Sequence, residues 1–351
     1  VPAQTVVLPS FAFAGGNVFE DVPVALHAWG TLNERADNAV VVCHALTGFP
    51  DVSEWWEPLL GPGRVLDTER FFVVCLNVPG SPYGTLSPAS KDADGQRLGS
   101  RFPVPTIRDA VRMHRAALER LGVRGVALAI GGSMGGMQAL EWGFETTEDG
   151  RPFVRALCPI ACGAAHSAWC IGWGEAERMA IRADANWLNG DYPPHRHPDA
   201  GLAAARAMAM LSYRSPAGFS QRHGRRAMPP GHPFSGQFAA VSYLHHQAQR
   251  LVDRFDAACY VRITEMMDTH DVSAGRAPTV EAALATLAQP VLAVGIDSDV
   301  LYLPSESRQI AEACPNGTYA EIASPWGHDA FLIEFDQLDA LLRAWFASND
   351  M

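Results

Sequence analysis

The chain has 351 residues, 48% of them hydrophobic and 19% charged, with a mean hydropathy of −0.01. It is long enough for a large core and a second, smaller body, and no apolar run reaches the roughly 18–20 residues a membrane span needs. Twenty-seven basic against 38 acidic residues give a net charge of −11. No basic run offers a nucleic-acid footprint, so a phosphate-bearing ligand has to be held by a local cluster.

In chain order, residues 22–29 (VPVALHAW), 39–44 (AVVVCH) and 71–78 (FFVVCLNV) are short, β-branched and apolar, as strands buried on both faces are. Thr106 opens a helical pattern with Ile107, Ala110, Val111, Ala117, Leu118 and Leu121 on one face and Gly122 as the stop. Residues 126–131 (VALAIG) form a further strand, GGSMGGMQALEW reads as a turn and then a helix, and 154–161 is another strand. Such alternation implies a parallel sheet covered by helices.

From about 163 to 288 strand candidates are few. Helical stretches (GLAAARAMAMLSY, AVSYLHHQAQRLVDRF) flank a polar connection near 214–236. The strand–helix pattern resumes with PVLAVGI, PSESRQIAEAC, TYAEIA and a last helix over about 335–348. The simplest account is a discontinuous α/β core, residues 1–162 and 289–351, interrupted by a helical cap at 163–288. The seven cysteines (Cys43, Cys75, Cys158, Cys162, Cys170, Cys259, Cys314) are odd in number and lack paired spacing. They read as reduced thiols of a cytoplasmic protein. His195/His197 and His245/His246 lack the acidic or thiol company of a metal site.

Gly131-Gly132-Ser133-Met134-Gly135 matches G-x-S-x-G between a buried strand and a helix, the setting that a nucleophile elbow requires. A sharp turn there lifts the Ser133 hydroxyl above the sheet at the positive end of the next helix. In isolation the same five residues are better read as a glycine-rich turn with an incidental serine, and it is the strand before and the helix after that reverse this. Partners for a serine nucleophile follow it in the order acid, then histidine. His328, in WGHD between the last strand and the last helix, is the candidate base. The acid comes from GIDSDV, where spacing leaves both Asp297 and Asp299; Asp299 lies further past the strand and reaches better over the sheet. The oxyanion would rest on the amides of Met134 and of Leu46, in the HALTG loop after an early strand. His44 beside it is as well explained by packing as by chemistry.

Beyond these residues, HALTG, EWWEPLLGPGRVLDT, TIRDAVR, GGSMGGMQALEW, SYLHHQAQRLVDRFDA, MMDTHDVSAGR and GHDAF resemble blocks of the homoserine O-acetyltransferases and their relatives, the serine O-acyltransferases and deacetylcephalosporin C acetyltransferase. The resemblance implies an α/β-hydrolase fold and two-step acyl transfer from acyl-CoA, most simply acetyl-CoA, with no permanently bound cofactor. It also implies a homodimer joined through the cap, and a triad of Ser133, Asp299 and His328. By the same resemblance Arg206 and Tyr213 face the acceptor amino acid, and Asp329 holds its amino group. A guanidinium suits a carboxylate and a carboxylate an ammonium. The loop Gly80-Ser81-Pro82-Tyr83-Gly84 looks closer to the serine-directed and cephalosporin branches, and with the FPDVSEWW segment it is expected to border the acceptor pocket, which keeps L-serine beside L-homoserine as acceptor. The run Arg222-His223-Gly224-Arg225-Arg226 is either a contact for CoA phosphates or an exposed polar loop. The rival activity is hydrolysis by the same triad, with water as acceptor.

Overall fold

The computed structural model describes residues 3–349. Eight strands form one sheet: β1 (Gln4–Ala12), β2 (Val18–Trp29), β3 (Ala39–Cys43), β4 (Phe72–Leu76), β5 (Val126–Gly132), β6 (Leu157–Ile160), β7 (Val291–Ile296) and β8 (Gly317–Ile322). Their order is β1-β2-β4-β3-β5-β6-β7-β8, with β1–β2 and β2–β4 antiparallel and the remaining neighbours parallel. Every residue of β3, β5, β6 and β7 is buried. Alternate residues serve opposite faces: Val41 and Cys43 join one apolar core, Val40 and Val42 the other. The sequence winds outward from β3 in both directions, to β4 on one side and β5 on the other. A crevice opens at such a switch point, beyond the carboxyl ends of the strands.

Helix α1 (Ile107–Arg120) begins at Thr106, whose hydroxyl accepts from the Asp109 amide while the Asp109 carboxylate accepts from the Thr106 amide. Helix α2 (Met134–Trp142) follows β5 at once. Between β6 and β7 lie α3 (Ala168–Arg182), α4 (Asp199–Ser212), α5 (Pro216–His223), α6 (Ala239–Val252), α7 (Ala257–Asp268) and α8 (Val280–Leu284); α9 (Pro304–Ala313) and α10 (Phe335–Ser348) complete the chain. Among the described residues no helix is long and apolar enough to cross a membrane.

Several elements depart from the reading of the sequence. Strand β1 departs from that reading because most of its residues are exposed and its apolar run is interrupted by Pro9 and Ser10. The strand expected at 154–161 contracts to β6, with Val154 held only by a bridge to Val126. Helix α3 was hidden by two buried charges, Glu177 and Arg178, on its inner face. Helix α7 is buried almost all round and so shows no 3.6-residue stripe. The polar connection at 214–236 contains α5, capped by the Ser215 hydroxyl and started by Pro216.

A buried carboxylate ties the segment after α7 to the sheet-covering helices. Glu141 on α2, 2% exposed, accepts from Arg276 Nη2 at 2.5 Å and Nη1 at 3.1 Å and from Arg108 Nε at 3.3 Å. Arg108 also donates to the carbonyls of Asp271 and Ala274. All seven cysteines are free and buried.

Candidate active site

Ser133 stands between β5 and α2 with φ 60° and ψ −126°, a strained conformation for a residue with a side chain. The turn closes only because its neighbours are glycine. A Cβ on Gly131 would come within 2.5 Å of the Cys43 carbonyl oxygen, and one on Gly135 within 2.1 Å of the same atom. Strand β3 and helix α2 are thereby pressed together around the serine. The Ser133 amide donates to the Ile160 carbonyl at 2.9 Å, which pins the turn to β6.

Asp299 and His328 meet after β7 and β8. His328 Nδ1 donates to Asp299 Oδ2 at 2.7 Å, with both side chains almost wholly buried. Asp299 Oδ1 accepts from the amides of Leu301 (2.8 Å) and Tyr302 (3.0 Å), so the carboxylate cannot swing. Asp297, the other candidate, instead accepts from the Ser324 amide at 2.9 Å and braces the loop that carries the histidine. Burial alone would lower the His328 pKa; the Asp299 carboxylate outweighs it and holds the imidazole above its usual value. Its Nε2 is buried and makes no hydrogen bond, to Ser133 or to any other described residue. The ring lies 5.2 Å from that of Tyr302 and 5.7 Å from that of Tyr213. Both tyrosines, with Ser133 and Leu46, line a cavity of about 40 Å³.

Met134 is the first residue of α2, where an amide has no partner within its own helix. Neither it nor the Leu46 amide donates a hydrogen bond among the described residues. His44 holds the Leu46 loop: its Nδ1 donates to Ala45 O (2.9 Å) and its Nε2 accepts from the Val78 amide (3.3 Å), while burial lowers its pKa to about 4. It is a neutral brace. Gln138 donates from α2 to the His44 carbonyl at 3.2 Å and completes the support.

The guanidinium of Arg206, on α4, lies 5.6 Å from the Tyr213 ring, and its Nε and Nη1 are buried without partners. Asp329 is not free in the same sense: its Oδ2 accepts from Arg214 Nη1 at 2.5 Å, and Arg214 also donates to the Tyr243 hydroxyl. The loop at 80–88 is absent from the lining of the small cavity around Ser133; Tyr83 packs against Phe49 and Phe255, and its hydroxyl meets Arg254, which also donates to the Thr47 carbonyl. Arg222, Arg225 and Arg226 are exposed, the first two over the rings of Tyr243 and Phe238. No group of three or more potential metal ligands occurs among the described residues.

The family model described as alpha/beta hydrolase fold matches residues 38–335. The homoserine O-acetyltransferase of Salinibacter ruber is 55% identical, over 99% of this chain and 98% of its own. The chain belongs to the homoserine O-acetyltransferase family. As a member of it, the chain is an acyltransferase with an α/β-hydrolase fold. The homoserine O-acetyltransferase of Bacillus anthracis shares that fold at 21% identity and a TM-score of 0.86, covering 97% of this chain and 96% of its own. Esterase E22 superposes with a TM-score of 0.87 at 25% identity, covering 98% and 99%. The scaffold of this family therefore also serves hydrolysis.

Four polar residues close to this site were not singled out in the sequence. Arg214 ends the ARAMAMLSYR block yet reads as a solvated helix end. Glu177, buried, accepts from the Tyr260 hydroxyl at 2.9 Å; burial raises its pKa to about 7. His166 lies between Tyr302 and Asp268 on the cavity wall. Arg178 pairs with Glu175 and Asp268. Three of the four lie on or beside α3, whose charges fall where a sequence pattern expects an outer face.

Proposed function

We propose that this enzyme transfers the acetyl group of acetyl-CoA to the side-chain hydroxyl of L-homoserine through an acetyl-enzyme on Ser133. The observation that carries the acceptor is the guanidinium of Arg206, buried with two unpartnered N–H groups beside Tyr213. An esterase has no use for such a group. An amino-acid carboxylate is the ligand that satisfies it by paired, charge-assisted hydrogen bonds. The names of the similar proteins favour homoserine over serine, and Asp329, through the oxygen that Arg214 leaves free, is the proposed partner of the ammonium.

In the first step the Ser133 oxygen attacks the thioester carbonyl, and its proton passes to His328 Nε2. The Asp299 carboxylate orients the ring and stabilises the imidazolium. The amides of Leu46 and Met134 receive the oxyanion. As the tetrahedral intermediate collapses, the C–S bond breaks, His328 returns the proton to the sulfur, and CoA leaves as the thiol. In the second step the homoserine hydroxyl attacks the acetyl carbonyl and gives its proton to His328. The C–O bond to Ser133 then breaks and that oxygen takes the proton back. The cavity lining contains no lysine or arginine but includes Glu177 and Asp268, surroundings that suit a neutral acetyl group better than a succinyl carboxylate.

The helices at 163–288 serve, in this reading, as a cap that keeps water from the acetyl-enzyme; the cap also carries the dimer contact, and the protein works in the cytoplasm without a resident cofactor. The test is thiol release from acetyl-CoA with and without L-homoserine or L-serine. Release that depends on homoserine, with O-acetylhomoserine as product, is expected. Equal release without any amino acid would point to hydrolysis, the activity named for esterase E22, and would end the transferase reading.

A further inference from the structure

The cavity around Ser133 reaches Gly174 on α3 and Asp268 at the end of α7. Two buried polar atoms lie there without a hydrogen bond: Arg178 Nη1 and Asp268 Oδ1, the latter 3.8 Å from His166 Nε2. The Arg178 side chain is 4% exposed, and its other nitrogens are occupied, Nε by Glu175 Oε2 and Nη2 by Asp268 Oδ2, both at 2.7 Å. The two free atoms converge on one point. The position that a Cβ on Gly174 would occupy lies 3.3 Å from Nη1 and 3.8 Å from Oδ1, with the guanidinium carbon next at 3.9 Å. A side chain at 174 would fill this space. Glycine leaves it to the cavity.

An unpartnered buried donor beside an unpartnered buried acceptor is costly unless a ligand or an ordered water completes both. The pair offers one N–H and one oxygen lone pair at no net charge, since the guanidinium and the carboxylate already neutralise each other. Its complement is a neutral group with a C=O and an N–H side by side, which is a secondary amide. Around it, Cys170, Trp173, Met267 and Leu301 present apolar surface to the same cavity, suited to methylene groups on either side of such an amide. Arg206, near the buried Glu177, is the guanidinium of this region with two nitrogens still unpartnered, so the acceptor carboxylate is assigned there and not here.

We infer that the α3–α7 end of the cavity, lined by Gly174 and Asp268 with the Arg178 guanidinium behind the bare Gly174, binds a secondary amide in the arm of the thioester donor. Arg178 Nη1 donates to the amide oxygen, and the amide N–H donates to Asp268 Oδ1. The inference deepens the proposed acetyl transfer and rests on it. It makes α3 and α7 the elements that choose the donor, while α4 carries the residues proposed to choose the acceptor.

Donors that differ only in their amides test this: acetyl-CoA, S-acetylpantetheine, S-acetyl-N-acetylcysteamine and ethyl thioacetate, which has none. In D268N the new amide nitrogen, or a displaced Arg178, mismatches the ligand. The expected result is a loss of about tenfold or more in kcat/KM for amide-bearing donors, as one unsatisfied buried hydrogen bond implies. Ethyl thioacetate should change by less than about twofold on the same scale, with the homoserine KM unmoved. G174A places a methyl group in the space, 3.3 Å from Arg178 Nη1 and so against the nitrogen that would face the ligand, while leaving both charges of the ion pair in place; alanine suits a helix better than glycine. It should reproduce the donor pattern and keeps the test open if D268N folds poorly. Equal losses for ethyl thioacetate, a raised homoserine KM with donor kinetics unchanged, or no change in either variant would each overturn the assignment. Failure of every donor to acetylate Ser133 in the native enzyme is a separate outcome: it removes the proposed function, and this inference with it.

Discussion

At the scale of single residues, the proposed chemistry turns on the contact between His328 and Asp299. The base works only when neutral, and the carboxylate holds its pKa above the ordinary value. Acetylation of Ser133 should therefore fall as the pH drops through a value above that of free histidine, about 6.5. In Asp299→Asn the raising influence is gone, so this acid limb should move to lower pH. The rate on the plateau should drop by about 10⁴, as in other triads that lose their acid. A pH profile of kcat/KM for acetyl-CoA checks both; a limb that stays in place would show that the carboxylate does not set it. Arg206→Ala should raise the homoserine KM by about 10- to 100-fold, the equivalent of roughly 1.5–3 kcal/mol for a hydrogen bond to a charged group. Acetylation of Ser133 by p-nitrophenyl acetate should continue at the native rate, and parallel loss in both assays would reject the assignment. Ser133, Asp299 and His328 could be proposed from the sequence because their types, order and strand-end positions leave few alternatives, and the fold brings Asp299 and His328 into contact. Arg178 and Glu177 could not, because a charge on a helix looks solvated until the fold shows what covers it.

At the scale of elements, the tight approach of β3 and α2 is what makes the serine turn possible. Gly135→Ala would drive a methyl group into the Cys43 carbonyl, a rigid backbone atom. A loss of about 1–3 kcal/mol is expected, the usual cost of overpacking, with acetylation reduced as the turn relaxes. Urea unfolding followed by circular dichroism measures the first, and an unchanged midpoint would show that the turn is looser than its geometry. The interior strands were readable because burial on both faces demands continuous β-branched runs. Strand β1 lies at the sheet edge, where solvent asks for no such run, and α7 lies so deep that no polar stripe marks its period.

At the scale of the whole molecule, the strand-end crevice is closed over by helices that come from a single insertion between β6 and β7. The segment after α7 is bound back to α1 and α2 by the Glu141 cluster, so the wall that carries Asp268 does not hang free. Pairing of two partly exposed arginines on one buried carboxylate is worth more for position than for net stability, since desolvation offsets much of the attraction. The change in composition at 163 and 290 brackets the run of helices between β6 and β7, but the clamp left no mark in the sequence, because its members lie far apart along the chain.

The seven thiols give the molecule a set of built-in clocks. Each is enclosed, and burial raises their pKa values, Cys170 and Cys314 to about 12, so alkylation at neutral pH must wait for the chain to open. Cys170 and Cys259 sit in α3 and α7, whereas Cys43, Cys75 and Cys158 sit in the central strands. Iodoacetamide labelling in mild urea, read residue by residue by mass spectrometry, should mark the helical pair first if the insertion unfastens on its own. Simultaneous labelling would mean that helices and sheet melt as one body, and that substrates enter by small breathing motions rather than by a lid that lifts.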